Sequence, residues 1–294
     1  MTLRTPLLKS SEPRIFLKPE NLQPFGSYKI RGVVNAVRTA DSKTLSQGVS
    51  AASAGNMAQA VAFIAREKGI ECRIFVPNTA PEIKKQAIRN LGAKLEELSF
   101  QEIWKMVQNP PKEIPGLFIH PVFTPGLLEG YATIADELLA DRPQLNAVVI
   151  PFGVGGLTAG LARRLKQLKP DIQIFACEPE TAAPLHASIA AGASRTVDRQ
   201  PSFVDAIGTP EVLPQVFELV RPLVTASVKL PLTEIRSAVR DLAIHSKLVN
   251  EGASAASFAA ARRLSRDNPN QEIACILTGG NIAENHLQEC MAAY

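Results

Sequence analysis

Long apolar runs are missing from this 294-residue chain. No stretch approaches the roughly 20 residues that a membrane-spanning helix needs, and the opening "MTLRTPLLKS" has no apolar signal core. Aromatic residues make up only 5%, too few for platforms on which single strands of nucleic acid stack. Charge of one sign is scarce too: 32 basic residues are interspersed with 28 acidic ones, leaving +4. The basic clusters are short, such as Lys84-Lys85 and Arg262-Arg263, and fit the exposed side of an amphipathic helix. The four cysteines, Cys72, Cys177, Cys275 and Cys290, lie far apart without any CxxC spacing, and three sit in apolar runs. Buried reduced thiols and no metal site are therefore expected. The remaining expectation is a cytoplasmic protein with neither nucleic acid nor membrane as partner.

What is present is a rhythm: a short β-branched run, a Gly- or Pro-marked turn, then a helix-period segment. Val49–Ser53 precedes Met57–Lys68, Cys72–Val76 precedes Pro81–Leu91, and Lys94–Leu98 precedes Phe100–Val107. Later, Ala147–Ile150 leads to Gly156–Leu168 and Ile172–Cys177 to Ala183–Ala191, with Ile273–Leu277 as a closing strand. Such alternation predicts an α/β protein with two doubly wound domains and mostly parallel sheets. The expected division is a large domain of residues 1–46 plus 125–294 and a small mobile domain of residues 47–124.

In open parallel sheets, ligands sit beyond the carboxyl ends of the strands. The turns at those ends are rich in small polar residues: "SAGN" at 53–56, "PFGVGGL" at 151–157 and "LTGGN" at 277–281. "GVGGLTAG" opens a helix, so its backbone N–H groups and the helix dipole form an anion cradle. It lacks the lysine of a nucleotide P-loop and the spacing of a dinucleotide fingerprint, so a monophosphate fits better than a nucleotide. In "SAGN", Ser53 and Asn56 could cap the following helix, or its free N–H groups could hold a carboxylate. Thr278 offers a hydroxyl at a strand tip. "GSYKIRG" at 26–32 sets Lys29 before Ile30, Val33 and Val34. An amine at the mouth of an apolar segment loses hydration, which favours its neutral, nucleophilic form.

A phosphate cradle, a polar clamp, a hydroxyl for a ring nitrogen and a reactive lysine are the needs of one ligand, pyridoxal 5'-phosphate. The chain resembles the threonine/serine dehydratase (ammonia-lyase) and serine racemase family of fold-type-II pyridoxal-phosphate enzymes. The motifs occur in the family's order: "TPLL" at 5–8, "LKPENLQPFGSYKIRG" at 17–32, "AASAGNMAQAVAFIA" at 51–65, "PFGVGGLTAG" at 151–160, "KLVNEGASAA" at 247–256 and "LTGGN". The resemblance implies a tryptophan synthase β-like fold and makes Lys29 the Schiff-base lysine and the Cα proton base. Tyr28 would lie against the cofactor ring, and Asn56 would face its phenolic oxygen. Gly153, Val154, Gly155, Gly156 and Leu157 would cradle the phosphate, and Thr278 would meet the pyridine nitrogen. Ser53, Ala54, Gly55 and Asn56 would receive the substrate carboxylate. A homodimer is implied as well.

Departures from the family pattern sharpen this expectation. Ala54 stands where racemases of the group carry a serine as second base, which favours dehydration. Met57 replaces a usual His, and Ala206 a usual Gly. Some relatives bind a divalent cation through a Glu matching Glu178 and an Asp six residues on, but that second position is Pro184, so no cation is expected there. The motifs begin near the first residue and end near the last, so no appended regulatory domain is expected. The leading reading is β-elimination from an L-serine- or L-threonine-type substrate to a 2-oxo acid and ammonia. β-Replacement or racemisation, or a weakly active cofactor-binding sensor, are the alternatives.

Overall fold

The computed structural model describes residues 2–292. The chain divides into two compact units, one of Lys29–Tyr131 and one of Leu3–Tyr28 with the chain from Ala132 onward. Among the described residues, ten strands form two sheets: β1 (Leu8–Lys9), β2 (Ile15–Pro19), β3 (Val49–Ala52), β4 (Cys72–Pro77), β5 (Lys94–Leu98), β6 (Leu117–Phe118), β7 (Ala147–Pro151), β8 (Gln173–Pro179), β9 (Ala226–Leu230) and β10 (Ile273–Leu277).

In the larger unit the order is β1-β2-β10-β7-β8-β9, parallel throughout except for the β1–β2 pair. β7 and β10 are buried at every residue, as suits central strands covered on both faces. The helix Gly252–Asp267 packs on β10, β7 and β8. Its buried residues are mostly alanines, which let the helix axis come close to the sheet; Phe258 is the one large side chain among them. From β7 the chain runs outward through β8 and β9, then returns to lay β10 on the other side of β7. The reversal makes a crevice at the carboxyl ends of β7 and β10, where ligands of open α/β sheets bind.

A buried charge anchors this sheet. Lys18 on β2 is wholly buried. Its ammonium donates to the Thr5 carbonyl and to Glu137 Oε2, each at 2.6 Å, while Thr5 Oγ1 donates to Glu20 Oε1 at 2.7 Å. A paired, hydrogen-bonded lysine is tolerable in the interior where a lone one is not. These bonds tie "TPLL" to "LKPE", so both motifs have structural work.

The smaller unit repeats the logic on its own scale. Its sheet runs β5-β4-β3-β6, all parallel, with the reversal between β3 and β6. The helix Lys29–Thr39 meets the segment around Tyr131 through glycine. A Cβ at Gly32 would collide with the Tyr131 ring, and one at Gly130 with the Arg31 carbonyl. Overpacking of this kind costs about 1–3 kcal/mol, so Gly32→Ala should lose that much stability, measured as the shift of the urea midpoint.

Candidate active site

"FGSY" and "TGGN" lie side by side in the larger unit. Asn281 Nδ2 donates to the Phe25 carbonyl at 2.8 Å, and the Gly280 N–H donates to the Gly26 carbonyl at 2.9 Å. Ser27 and Gly279 form an antiparallel bridge, and the Tyr28 N–H donates to the Thr278 carbonyl at 3.1 Å. Phe25 holds a left-handed φ of 60°, unusual for a residue with a side chain, and Gly26 follows at 66°. The strained corner is fixed from Asn281, and it delivers the chain to Tyr28. Lys29 comes next, half-buried, as the first residue of its helix. Tyr28 is buried, and Thr278 is buried at the tip of β10.

Gly153, Val154, Gly155, Gly156 and Leu157 follow the end of β7, next to β10 in the sheet. Gly155 is the N-cap of the helix Gly156–Leu168, at φ 98°, and no side chain caps that helix. An added Cβ at Gly155 would lie 2.5 Å from Val216 Cγ1, so only glycine fits the turn. The loop carrying Ala206 runs against the cradle: a Cβ at Gly153 would meet the Ala206 carbonyl at 3.5 Å, while Ala206 itself is exposed. An uncapped helix start with backbone donors and no acidic side chain in the turn suits a phosphate dianion. A buried hydroxyl on the neighbouring strand tip suits a heterocycle nitrogen. These residues fit pyridoxal phosphate.

In the smaller unit, Ser53, Ala54, Gly55 and Asn56 follow β3. The capping alternative for this turn is not realised: the N-cap is Gly55 and no side-chain cap forms. Ser53 Oγ instead accepts the Gly55 N–H at 3.1 Å, shaping the turn itself. Met57, the second residue of the helix that follows, is buried.

The profile of the pyridoxal-phosphate dependent enzyme family matches residues 2–279. This chain belongs to that family. It is 35% identical over 273 residues to an L-threonine ammonia-lyase from Thermotoga maritima, covering 92% of this chain and 68% of that protein. The processed form of threonine deaminase isoform 2 from Solanum lycopersicum superposes with a TM-score of 0.91 at 27% identity, covering 100% of this chain and 89% of that one. Maize serine racemase superposes with a TM-score of 0.89 at 28% identity, covering 99% and 92%. The cofactor of this family member is pyridoxal phosphate, and the doubly wound parallel fold expected from sequence is the fold observed.

Buried titratable groups outside that set include the Glu178 carboxylate and the four thiols. Glu178, wholly buried, accepts from the Leu185 and His186 N–H groups, each at 2.8 Å, and from Ser227 Oγ at 2.6 Å. Burial raises its pKa against the pull of these donors. Both oxygens thus serve the start of the helix Pro184–Ala191, a use the sequence reading missed. Among the described residues, no group of three His, Cys, Asp or Glu is placed to hold a metal ion, and no helix is long and apolar enough to cross a membrane. All four cysteines are buried free thiols, and burial pushes Cys72 up to about 12.

The loop "HPVFTPG" after β6 is organised by its own histidine. His120 Nε2 lies 2.8 Å from the Val107 carbonyl, and Nδ1 accepts the N–H groups of Val122 and Phe123 at 3.1 and 3.0 Å. The proton therefore sits on Nε2, and the ring is neutral. Burial lowers its pKa from the ordinary 6.5. A depressed histidine contributes stability above its unfolded value and loses it as pH falls, because the unfolded chain takes up the proton first. The urea midpoint should therefore drop as pH is lowered through about 6.5, and the slope should flatten in His120→Gln.

Proposed function

We propose that this pyridoxal-phosphate enzyme is an ammonia-lyase that removes water from an L-serine- or L-threonine-type amino acid, giving a 2-oxo acid and ammonia. The observation that carries the reading is the pairing of "FGSY" with "TGGN", which ties the residue before Lys29 to the residue bearing the Thr278 hydroxyl. Threonine ammonia-lyase and threonine deaminase among the similar proteins support it.

When bound, pyridoxal phosphate would supply an electron sink for the bond broken at Cα. Lys29 would hold the cofactor through Nζ and, once freed, would take the Cα proton. Tyr28 would lie against the ring and Asn56 would meet its phenolic oxygen. The N–H groups of Gly153, Val154, Gly155, Gly156 and Leu157 would hold the phosphate. Thr278 would meet the pyridine nitrogen with a neutral hydroxyl rather than a carboxylate, which would favour prompt loss of the β-hydroxyl. The proton taken from Cα balances the hydroxide lost, so the elements of water leave, and a second water replaces the amine to give the 2-oxo acid and ammonia. Ser53, Ala54, Gly55 and Asn56 receive the substrate carboxylate at the helix start that no side chain caps. Ala54 offers no hydroxyl to reprotonate Cα from the other face, which separates elimination from racemisation. The reading includes the domain division at 47–124 and a homodimer acting in the cytoplasm.

The test is the visible absorption of the purified protein with pyridoxal phosphate, recorded before and after L-serine and L-threonine. A band that shifts with substrate while 2-oxo acid accumulates is expected. In Lys29→Ala the band should be lost and turnover should fall at least about a thousandfold. A band that stays fixed, with no 2-oxo acid from either amino acid, would overturn the lyase reading and favour a binding role.

A further inference from the structure

Behind Thr278 lies a second hydroxyl that the reaction as described does not use. Ser254 is the third residue of the helix Gly252–Asp267 and is wholly buried. Its Oγ donates to the Gly279 carbonyl at 2.7 Å and accepts the Gly279 N–H at 2.7 Å, clasping both polar groups of one residue. Thr278 Oγ1 lies 3.4 Å from the same oxygen. We propose that Ser254 is a positioning residue for Thr278, aiming the threonine proton at the cofactor's pyridine nitrogen. The proposal rests on the Thr278 role assigned above.

Counting protons supports it. A serine hydroxyl has one proton and two lone pairs. The proton of Ser254 goes to the Gly279 carbonyl, and one lone pair takes the Gly279 N–H. The second lone pair is all that remains for Thr278, so Ser254 can accept from Thr278 but cannot donate to it. At 3.4 Å it is a weak acceptor. Thr278 is thus denied a donor, and its own proton stays available to a better acceptor in line with the strand tip. An unprotonated ring nitrogen is such an acceptor, and a protonated one is not.

The same clasp reaches the lysine. Gly279 bridges Ser27, and Thr278 accepts the Tyr28 N–H, so a turn of the Gly279 peptide displaces the residue before Lys29. An internal control exists one helical turn away. Ser257, also wholly buried, has its Oγ 2.7 Å from the Ser254 carbonyl and 3.0 Å from the Ile276 carbonyl, with one proton shared between them. It joins the same helix to the same strand but stands away from Thr278.

The experiment compares holoenzymes of Ser254→Ala, Ser257→Ala and Thr278→Ala with the parent. The readings are the pH midpoint of the cofactor's visible band, the pyridoxal phosphate dissociation constant and the urea midpoint. Ser254→Ala should move the band's pH midpoint in the same direction as Thr278→Ala and weaken cofactor retention about three- to tenfold. Ser257→Ala should lower the urea midpoint alone. Ser254→Cys, which keeps the shape and weakens both bonds, should shift the band in the same direction by less, and it serves if the alanine variant does not fold. Should Ser254→Ala change only stability, as Ser257→Ala does, while Thr278→Ala moves the band, the positioning role is overturned and the Thr278 role stands. If Thr278→Ala leaves the band unmoved, the Thr278 role itself fails and the proposal falls with it.

Discussion

Everything about this site depends on a short antiparallel pairing between chain segments that lie 256 residues apart. Phe25 to Tyr28 bond to Asn281 back to Thr278 through one side-chain amide and the backbone. A lysine side chain is long and rotamer-rich, so its root must be fixed if its amine is to act at one atom. The pairing fixes that root: Tyr28 is buried and bonded, and the helix carrying Lys29 starts at once. The left-handed Phe25 is the local strain that buys the sharp corner, and Asn281 holds it in place.

Much of the strand-turn-helix alternation is legible in the sequence. Lys94–Leu98, Gly156–Leu168 and Ile273–Leu277 occur with the bounds that apolar period and turn residues suggest. Sheet order is not legible, because strand pairing is decided by tertiary packing. That β10 lies between β2 and β7, or that two-residue β1 runs antiparallel at the edge, follows from nothing local. β6 is too short to carry a period at all.

The site shows the same division. Glycines and small polar residues at strand ends announce a polar ligand, since few other reasons put such turns together. Ser254 is invisible by comparison. It sits in "EGASAASFAAA", where a helix buried on all sides has no amphipathic pattern, and its partners are the backbone groups of a strand more than twenty residues on. Lys18 is equally hidden, since nothing local pairs it with Thr5 and with Glu137, 119 residues on.

Helix starts in this fold are of two kinds. The helix Phe100–Gln108 has a full capping box from Ser99 and Glu102, and the helix Pro184–Ala191 receives the buried Glu178 carboxylate. In both, protein oxygens consume the N–H groups. The helices starting at Asn56 and Gly156 have glycine at the N-cap and no side-chain cap, and each follows the strand at which its own sheet reverses direction. At Gly55, where an added Cβ meets nothing, a serine or aspartate cap would add about a few tenths of a kcal/mol, whereas Gly155 has no room for one. Such a cap would also occupy the donors, and an aspartate would set a negative charge against an anion. Two anions, a phosphate and a carboxylate, are what pyridoxal phosphate chemistry on an amino acid must hold. The proposed anion roles of the two turns rest on the same three features in each unit taken by itself: the glycine N-cap, the lack of a side-chain cap and the reversal of strand order beside it.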